Sequence, residues 1–337
     1  MGGVNACTLS GAGRALVTTA AMVALTGCAA GKPAGWQSGV GRDHPLVGRI
    51  FDVRAAGFVA EAALADDLAR TGIVLLGEQH DNPGHHLLQG RLLDLLADRG
   101  RRPVVAFEMI TTDETAAVAR CAASRCRPSA FASAVRWNER GWPEWRIYEP
   151  VFDAARANRL PVVPASLPRT HTTEIAAGTA HTSGDARLLD LLRARPLDAG
   201  SRSALETEIR EAHCGHAPEH ALPAMVKVQR IRDAFMADSL AAAQTAGSAV
   251  LIAGAAHVRT DRGAPFYLDV LLPLTSRRSL AFVEVRDGLD TPAAYAALLH
   301  AERLPFDYVW FTPRVDDADP CEKFKQELER LRGRAPS

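Results

Sequence analysis

The sequence lacks the features that mark several protein classes. Its 39 Lys+Arg are matched by 39 Asp+Glu, so the formal net charge is +0. Nucleic-acid binding through a basic face rests on clustered Lys/Arg, and no such block exists, which excludes that class. The six cysteines include no C-x-x-C pair. That spacing argues against a zinc ribbon, and the lack of C-x-x-C-H excludes covalent c-type haem attachment. Neither G-x-S-x-G nor H-E-x-x-H occurs, so serine-hydrolase and zincin chemistry have no support. Gly27-Cys28-Ala29-Ala30-Gly31-Lys32 only mimics a phosphate loop. It is one residue short between its glycines, and Pro33 stands where Ser or Thr would bind magnesium. There are only four tyrosines, so any tyrosine ligand is sought among few candidates.

What is present reads as an ordinary globular chain, with 47% hydrophobic and 23% charged residues. At 337 residues it buries roughly three quarters of its unfolded surface and needs no disulfide staple. Arg14 precedes an apolar run, Ala15 to Leu25, that ends in Leu25-Thr26-Gly27-Cys28. The run is too short for a bilayer helix, which takes about 20 residues, and suits the core of an export signal. The cysteine at the cleavage point resembles the bacterial lipobox. Residues 1–27 are therefore expected to leave and Cys28 to carry lipid, enough acyl surface for stable anchoring. Ala29, where Asp would retain the protein at the inner membrane, favours the outer membrane, facing the periplasm. Residues 28–48, with Pro33, Pro45 and several glycines, read as the lipid-anchored tether. Cys121, Cys126, Cys214 and Cys321 remain, with three pairings open and Cys121 near enough to Cys126 to bridge.

From residue 49 to 315, short apolar runs alternate with longer amphipathic ones. Ile73 to Leu76, Pro103 to Phe107, Pro161 to Ala165, Ala249 to Ile252, Leu280 to Val285 and Tyr308 to Phe311 read as strands. The prolines of the third suggest unpaired ends. His85 to Ala97 is helical, with leucines at three- and four-residue steps; Thr111 to Ala123 follows, and a long helical region covers Asp185 to Ala243. Continuous apolar strands separated by helices predict an α/β fold. It has a mainly parallel central sheet with helices on both faces, in a single domain plus a helical insertion. Residues 316–337 read as a C-terminal helix and tail.

In such sheets ligands lie beyond the carboxyl ends of the strands. After the first strand comes Gly77-Glu78-Gln79-His80, after the second Glu108, and after the fourth Gly254-Ala255-Ala256-His257. Glu78, His80, Glu108 and His257 are thereby expected at one rim, since neighbouring strands are about 4.8 Å apart. A carboxylate at a buried strand end is costly unless paired, hydrogen-bonded or metal-bound. The four groups are candidates for a catalytic site or a divalent-metal site. Downstream, Ala224, Val228, Ile231 and Phe235 have the spacing of a helical core stripe. Met225, Gln229, Arg232 and Met236 repeat it one residue on, which suggests a semi-polar cavity across which Arg232 pairs with Glu78 or Glu108.

The two G-x-x-H turns and Glu108 resemble the pattern of the TIKI/TraB and erythromycin-esterase-like superfamily. More specifically, the chain resembles the ChaN-like haem-binding lipoproteins. Gly141-Trp142-Pro143, Tyr148-Glu149-Pro150, Cys214-Gly215-His216, Met225, Gln229, Arg232-Asp233 and Met236 add to that likeness. The resemblance covers about residues 50 to 312. It implies haem binding at the cell envelope in iron acquisition, through a homodimer, with a tyrosinate ligand. Tyr148 and Tyr267 fall near expected rims, whereas Tyr295 and Tyr308 read as packing. His216, with His213 and His220 close by, is an alternative ligand or propionate contact, and Met225 and Arg232 would line the cavity. The competing reading is a metal-dependent hydrolase built on Glu78, His80, Glu108 and His257.

Overall fold

A computed structural model of the chain describes residues 35–179 and 182–333. The leader at 1–27 and Cys28 lie outside the described residues. Eight strands form one sheet: Ile50–Asp52 (β1), Gly57–Val59 (β2), Ile73–Glu78 (β3), Val104–Thr111 (β4), Val162–Ser166 (β5), Ala249–Gly254 (β6), Arg277–Glu284 (β7) and Tyr308–Thr312 (β8). Their order is β2-β1-β8-β7-β3-β6-β4-β5. From β8 to β5 all pairing is parallel, while β1 runs antiparallel to both β2 and β8. β6 is thus inserted between β3 and β4, so the three segments singled out above are adjacent, although β4 runs on to Thr111 and holds Glu108 inside the strand rather than after it.

Side-chain alternation sends the strands into two cores. Val74 and Leu76 of β3 face one, Ile73 and Leu75 the other. The first core is covered by Glu61–Ala69 (α1), Pro83–Asp98 (α2), Thr115–Ser124 (α3), Pro128–Ala134 (α4) and Trp145–Ala157 (α5). On the second lie Arg169–Ala177 (α6) and Ser183–Ala194 (α7). Beyond Ala199–Ala212 (α8), that face continues with Leu222–Gln244 (α9) and Ala264–Leu271 (α10). The long helical region is therefore three helices, with α8 and the start of α9 enclosing a small separate core of Leu205, Ile209, Leu222 and Val226. Tyr295–Leu298 (α11) packs its tyrosine into the second core, and Pro320–Gly333 (α12) forms the C-terminal helix.

Two expectations are corrected, and one element carried no signal. Residues 35–48 are not a free tether. Val40 bridges Arg314, Ser38 Oγ donates to Asn82 Oδ1 (2.8 Å), and Leu46 and Val47 are buried in the second core. Glycines and prolines there shape turns on the body rather than a spacer. The β1–β2 hairpin had no signal because its strands have three residues each. The buried face of α9 is Val226, Ile231, Asp233, Ala234, Met236, Ala237 and Leu240, while Ala224 is exposed. The proline-bearing strand β5 is an edge, where Pro164 sits opposite Phe107 without breaking a central ladder. Two disulfides form, Cys121–Cys126 and Cys214–Cys321, the second tying α12 to the end of α8.

Candidate functional site

The two G-x-x-H turns pack against each other, and their glycines are the reason they can. A Cβ on Gly77 would lie 2.3 Å from Val258 Cγ2 and 2.9 Å from Ala255 Cα, in the second turn. A Cβ on Gly254 would lie 3.0 Å from His80 Nε2, in the first. Each turn thus needs the other's missing side chain, which gives both motif glycines a steric cause. The first turn is pinned by His85 at the start of α2, where Asn82 caps the helix and Pro83 occupies its first turn. Gln79 N–H donates to His85 Nδ1 (2.8 Å), and His85 Nε2 donates to Thr312 Oγ1 (2.8 Å). Burial pushes His85 down to about 3, so it stays neutral and fits that acceptor–donor pattern.

On the α2/α5 face, Glu78 is fully enclosed. Its Oε1 accepts from Tyr148 Oη (2.6 Å) and His80 Nδ1 (2.9 Å). Its Oε2 accepts from Gln89 Nε2 (2.7 Å) and lies 3.2 Å from His86 Nδ1. His86 Nε2 donates to the His80 carbonyl (3.1 Å), and its ring lies over Tyr148 with centroids 3.8 Å apart. Burial works against the charge on Glu78, but the imidazoles of His86 and His80 outweigh it and hold the carboxyl far below its ordinary range.

On the α9 face, Glu108 sits where β4 slips register against β5, between Phe107 and Thr111. Strand alternation places Glu108 on the face of Ala106, toward α9, and breaks only after it, where Met109 and Ile110 both enter the first core. Its Oε1 takes a charged hydrogen bond from Arg232 and lies 3.2 Å from His257 Nε2; its Oε2 accepts from Gly254 N–H (2.7 Å). His257 Nδ1 donates to the buried Asp233 Oδ1 (2.6 Å). Burial opposes ionisation of Glu108, yet His257, His80 and Arg232 hold it well below the carboxylate range. For His257, burial would lower the pKa, but Glu108 and Asp233 lift it to about 9.

His80 bridges the halves. Nδ1 faces Glu78 and Tyr148 Oη (3.2 Å), while Nε2 lies 3.8 Å from Glu108 Oε2, beyond hydrogen-bond reach. Burial lowers its pKa, but Glu108 and Glu78 outweigh that and raise it. His80 and Arg232 are the open members, with 33% and 31% of their side chains exposed. Trp142 stands edge-on to His80 with centroids 5.0 Å apart, held by its Nε1 donating to Met109 O (3.1 Å).

The four rim residues therefore meet as expected, and Arg232 pairs with Glu108. The other candidates do not stand at the mouth. Tyr148 is buried beneath His80, where burial and then Glu78 push its phenol far above the ordinary range and oppose tyrosinate. Tyr267 is buried on the α9 side, accepting from Arg230 Nε (3.0 Å), and burial pushes it up to about 12. His216 is exposed beside the Cys214–Cys321 disulfide, stacked on Phe324. Met225 packs on the small α8/α9 core. Asp233, His85, His86 and Gln89 were missed. The Asn82-Pro83 cap would have placed both histidines in the first turn of α2, facing the rim.

The donor set does not fit a divalent cation. Among the described residues, no group of three or more His, Cys, Asp or Glu is arranged to hold one, and the Arg232 guanidinium already occupies Glu108 Oε1. The chemistry haem would need is better matched by this cluster: an imidazole nitrogen free of hydrogen bonds, an aromatic wall and a guanidinium with donors to spare.

Comparison with known proteins agrees with this architecture. The family model described as haem-binding uptake, Tiki superfamily, ChaN matches residues 64–268. A solved structure, described as cofacial heme binding to ChaN of Campylobacter jejuni, superposes with TM-score 0.61 at 20% identity, covering 77% of this chain and 95% of that one. An erythromycin esterase mutant, EreC in its open conformation, gives TM-score 0.39 at 11% identity, covering 77% and 95%. No curated protein matches.

Proposed function

The chain belongs to the haem-binding uptake family of the Tiki superfamily, ChaN, and from that membership we propose that it binds haem at the carboxyl rim of its sheet, with His80 Nε2 toward the iron. One observation carries this reading. Glu78 and Tyr148 engage His80 on the Nδ1 side only, which leaves Nε2, between Gly254 and Glu108, without a hydrogen-bond partner on a side chain that is one-third exposed. A carboxylate on one imidazole nitrogen fixes the tautomer and makes the other nitrogen the better ligand. Haem, when bound, would supply the iron that such a nitrogen would hold. Arg232 keeps donors for a propionate while holding Glu108, and Trp142 forms an apolar wall beside His80.

The proposal extends to the setting. Cys28 would hold the protein as a lipoprotein in the outer membrane, facing the periplasm, where it would serve iron or haem uptake. The cofacial haem binding described for the Campylobacter jejuni protein supports a homodimer. Titrating the lipid-free mature protein with haemin tests the core of the reading. A Soret shift that saturates at micromolar haemin, one per chain, is expected; no saturable shift overturns it.

A further inference from the structure

At the other end of the sheet lies a cavity that the rim chemistry does not use. Leu160, Pro161 and Val162 line it where the chain enters β5, and Val162 pairs with Val105 near the start of β4. It therefore opens at the amino ends of the strands, opposite Glu108 and His257. Its volume is about 310 Å³, at the lower end of the range of small-ligand sites. Val118, Phe131, Phe152, Leu160 and Val162 give it an apolar interior.

Its charge is of one sign. Arg125, Arg156 and Arg159 line it, and no acidic residue does. Arg156 is paired with Asp153 (3.1 Å). Among the described residues, neither Arg125 nor Arg159 has a carboxylate within 4.0 Å. Both adopt left-handed backbone, at φ 51° and 56°, just past the ends of α3 and α5. Glycine fills such positions at least cost. Arginine is held there instead, twice, on the lip of the same apolar cavity.

We propose that this cavity binds a single-chain fatty carboxylate, its alkyl chain inside and its carboxylate between Arg125 and Arg159. Guanidinium groups pair with carboxylates through parallel donors, and the apolar interior shelters the chain from water. The cavity is not a second iron site. No His, Tyr or Met lines it, and its two cysteines are bonded to each other. The inference does not depend on haem binding at the rim.

Calorimetric titration of the oxidised mature protein with decanoate and with decanol tests it. Saturable one-to-one decanoate binding is expected, with decanol at least about tenfold weaker, because only the acid engages the arginines. The double variant Arg125→Gln/Arg159→Gln changes exposed side chains and should fold. It is expected to lose at least about tenfold in decanoate affinity and to bind acid and alcohol alike. Saturating haemin should leave the decanoate affinity of the parent protein unchanged. The proposal is overturned by absent decanoate binding, by equal binding of acid and alcohol to the parent, or by an unaffected double variant. Competition between haemin and decanoate overturns it as well, since it would put both in one site.

Discussion

Glu78 ends β3 and Glu108 lies within β4, the two strands that flank β6, and both are buried, yet their surroundings differ in kind. Glu78 is met by a phenol, an amide and two imidazoles, all buried except that of His80. Glu108 is met by a guanidinium, an imidazole shared with Asp233 and a backbone amide, on a side that opens to solvent at Arg232. The first set fixes the direction of His80. The second gathers charge at the mouth. Similar residue types thus serve orientation in one half and electrostatics in the other.

The largest effect is expected where charge is concentrated. Glu108→Ala leaves Arg232 and His257 without their common anion and should cost about 3–5 kcal/mol of stability, the range for breaking a buried ion pair from one side. Urea unfolding measures it; a loss below about 1 kcal/mol would mean that solvent already screens this half, and the contrast would fail. Next comes pH. The folded pKa of His257 is raised to about 9 from an ordinary 6.5. Its contribution is fully present below pH 6.5 and is lost as pH rises through 9, on the order of 3 kcal/mol in all. Unfolding free energies across that window should fall in the parent and lose much of the slope in His257→Gln; parallel slopes would remove His257 as the source.

Smaller effects belong to the orienting half. Glu78→Gln keeps the shape but weakens the hold on Nδ1 of His80, and haemin affinity should fall by about 10–100-fold, as for other groups that orient a ligand. A spectroscopic titration showing no change would reduce Glu78 to packing. Tyr148→Phe removes one buried hydroxyl and should cost about 1 kcal/mol, measured by thermal or urea unfolding. A cost similar to that of Glu108→Ala would erase the distinction between the halves.

Much of this was legible in the sequence because strand ends are local. An apolar run followed by G-x-x-H fixes where a strand stops and what it delivers, and the order β3-β6-β4 brought those deliveries side by side. What stayed hidden depends on helix phase. Asp233 entered only as part of the family likeness and was given no role, because its place on the inward face of α9 and its partner 24 residues away in sequence are not local signals. Tyr148 does reach the rim cluster through its hydroxyl, but its burial was missed because its helix went unrecognised. Tyr148, Val151, Phe152 and Ala155 share the buried face of α5, a spacing that encodes core. The segment from 35 to 48 misled through composition, since glycine and proline serve packed turns as well as spacers.

The resemblance points to a tyrosinate ligand, whereas the geometry buries Tyr148 and leaves His80 open, and haemin binding separates the two most directly. Absorption titrations of His80→Ala and Tyr148→Phe should be run beside the parent protein. The account predicts that His80→Ala loses the parental Soret band and affinity while Tyr148→Phe keeps both. A parental spectrum in His80→Ala, with its loss in Tyr148→Phe, would contradict it.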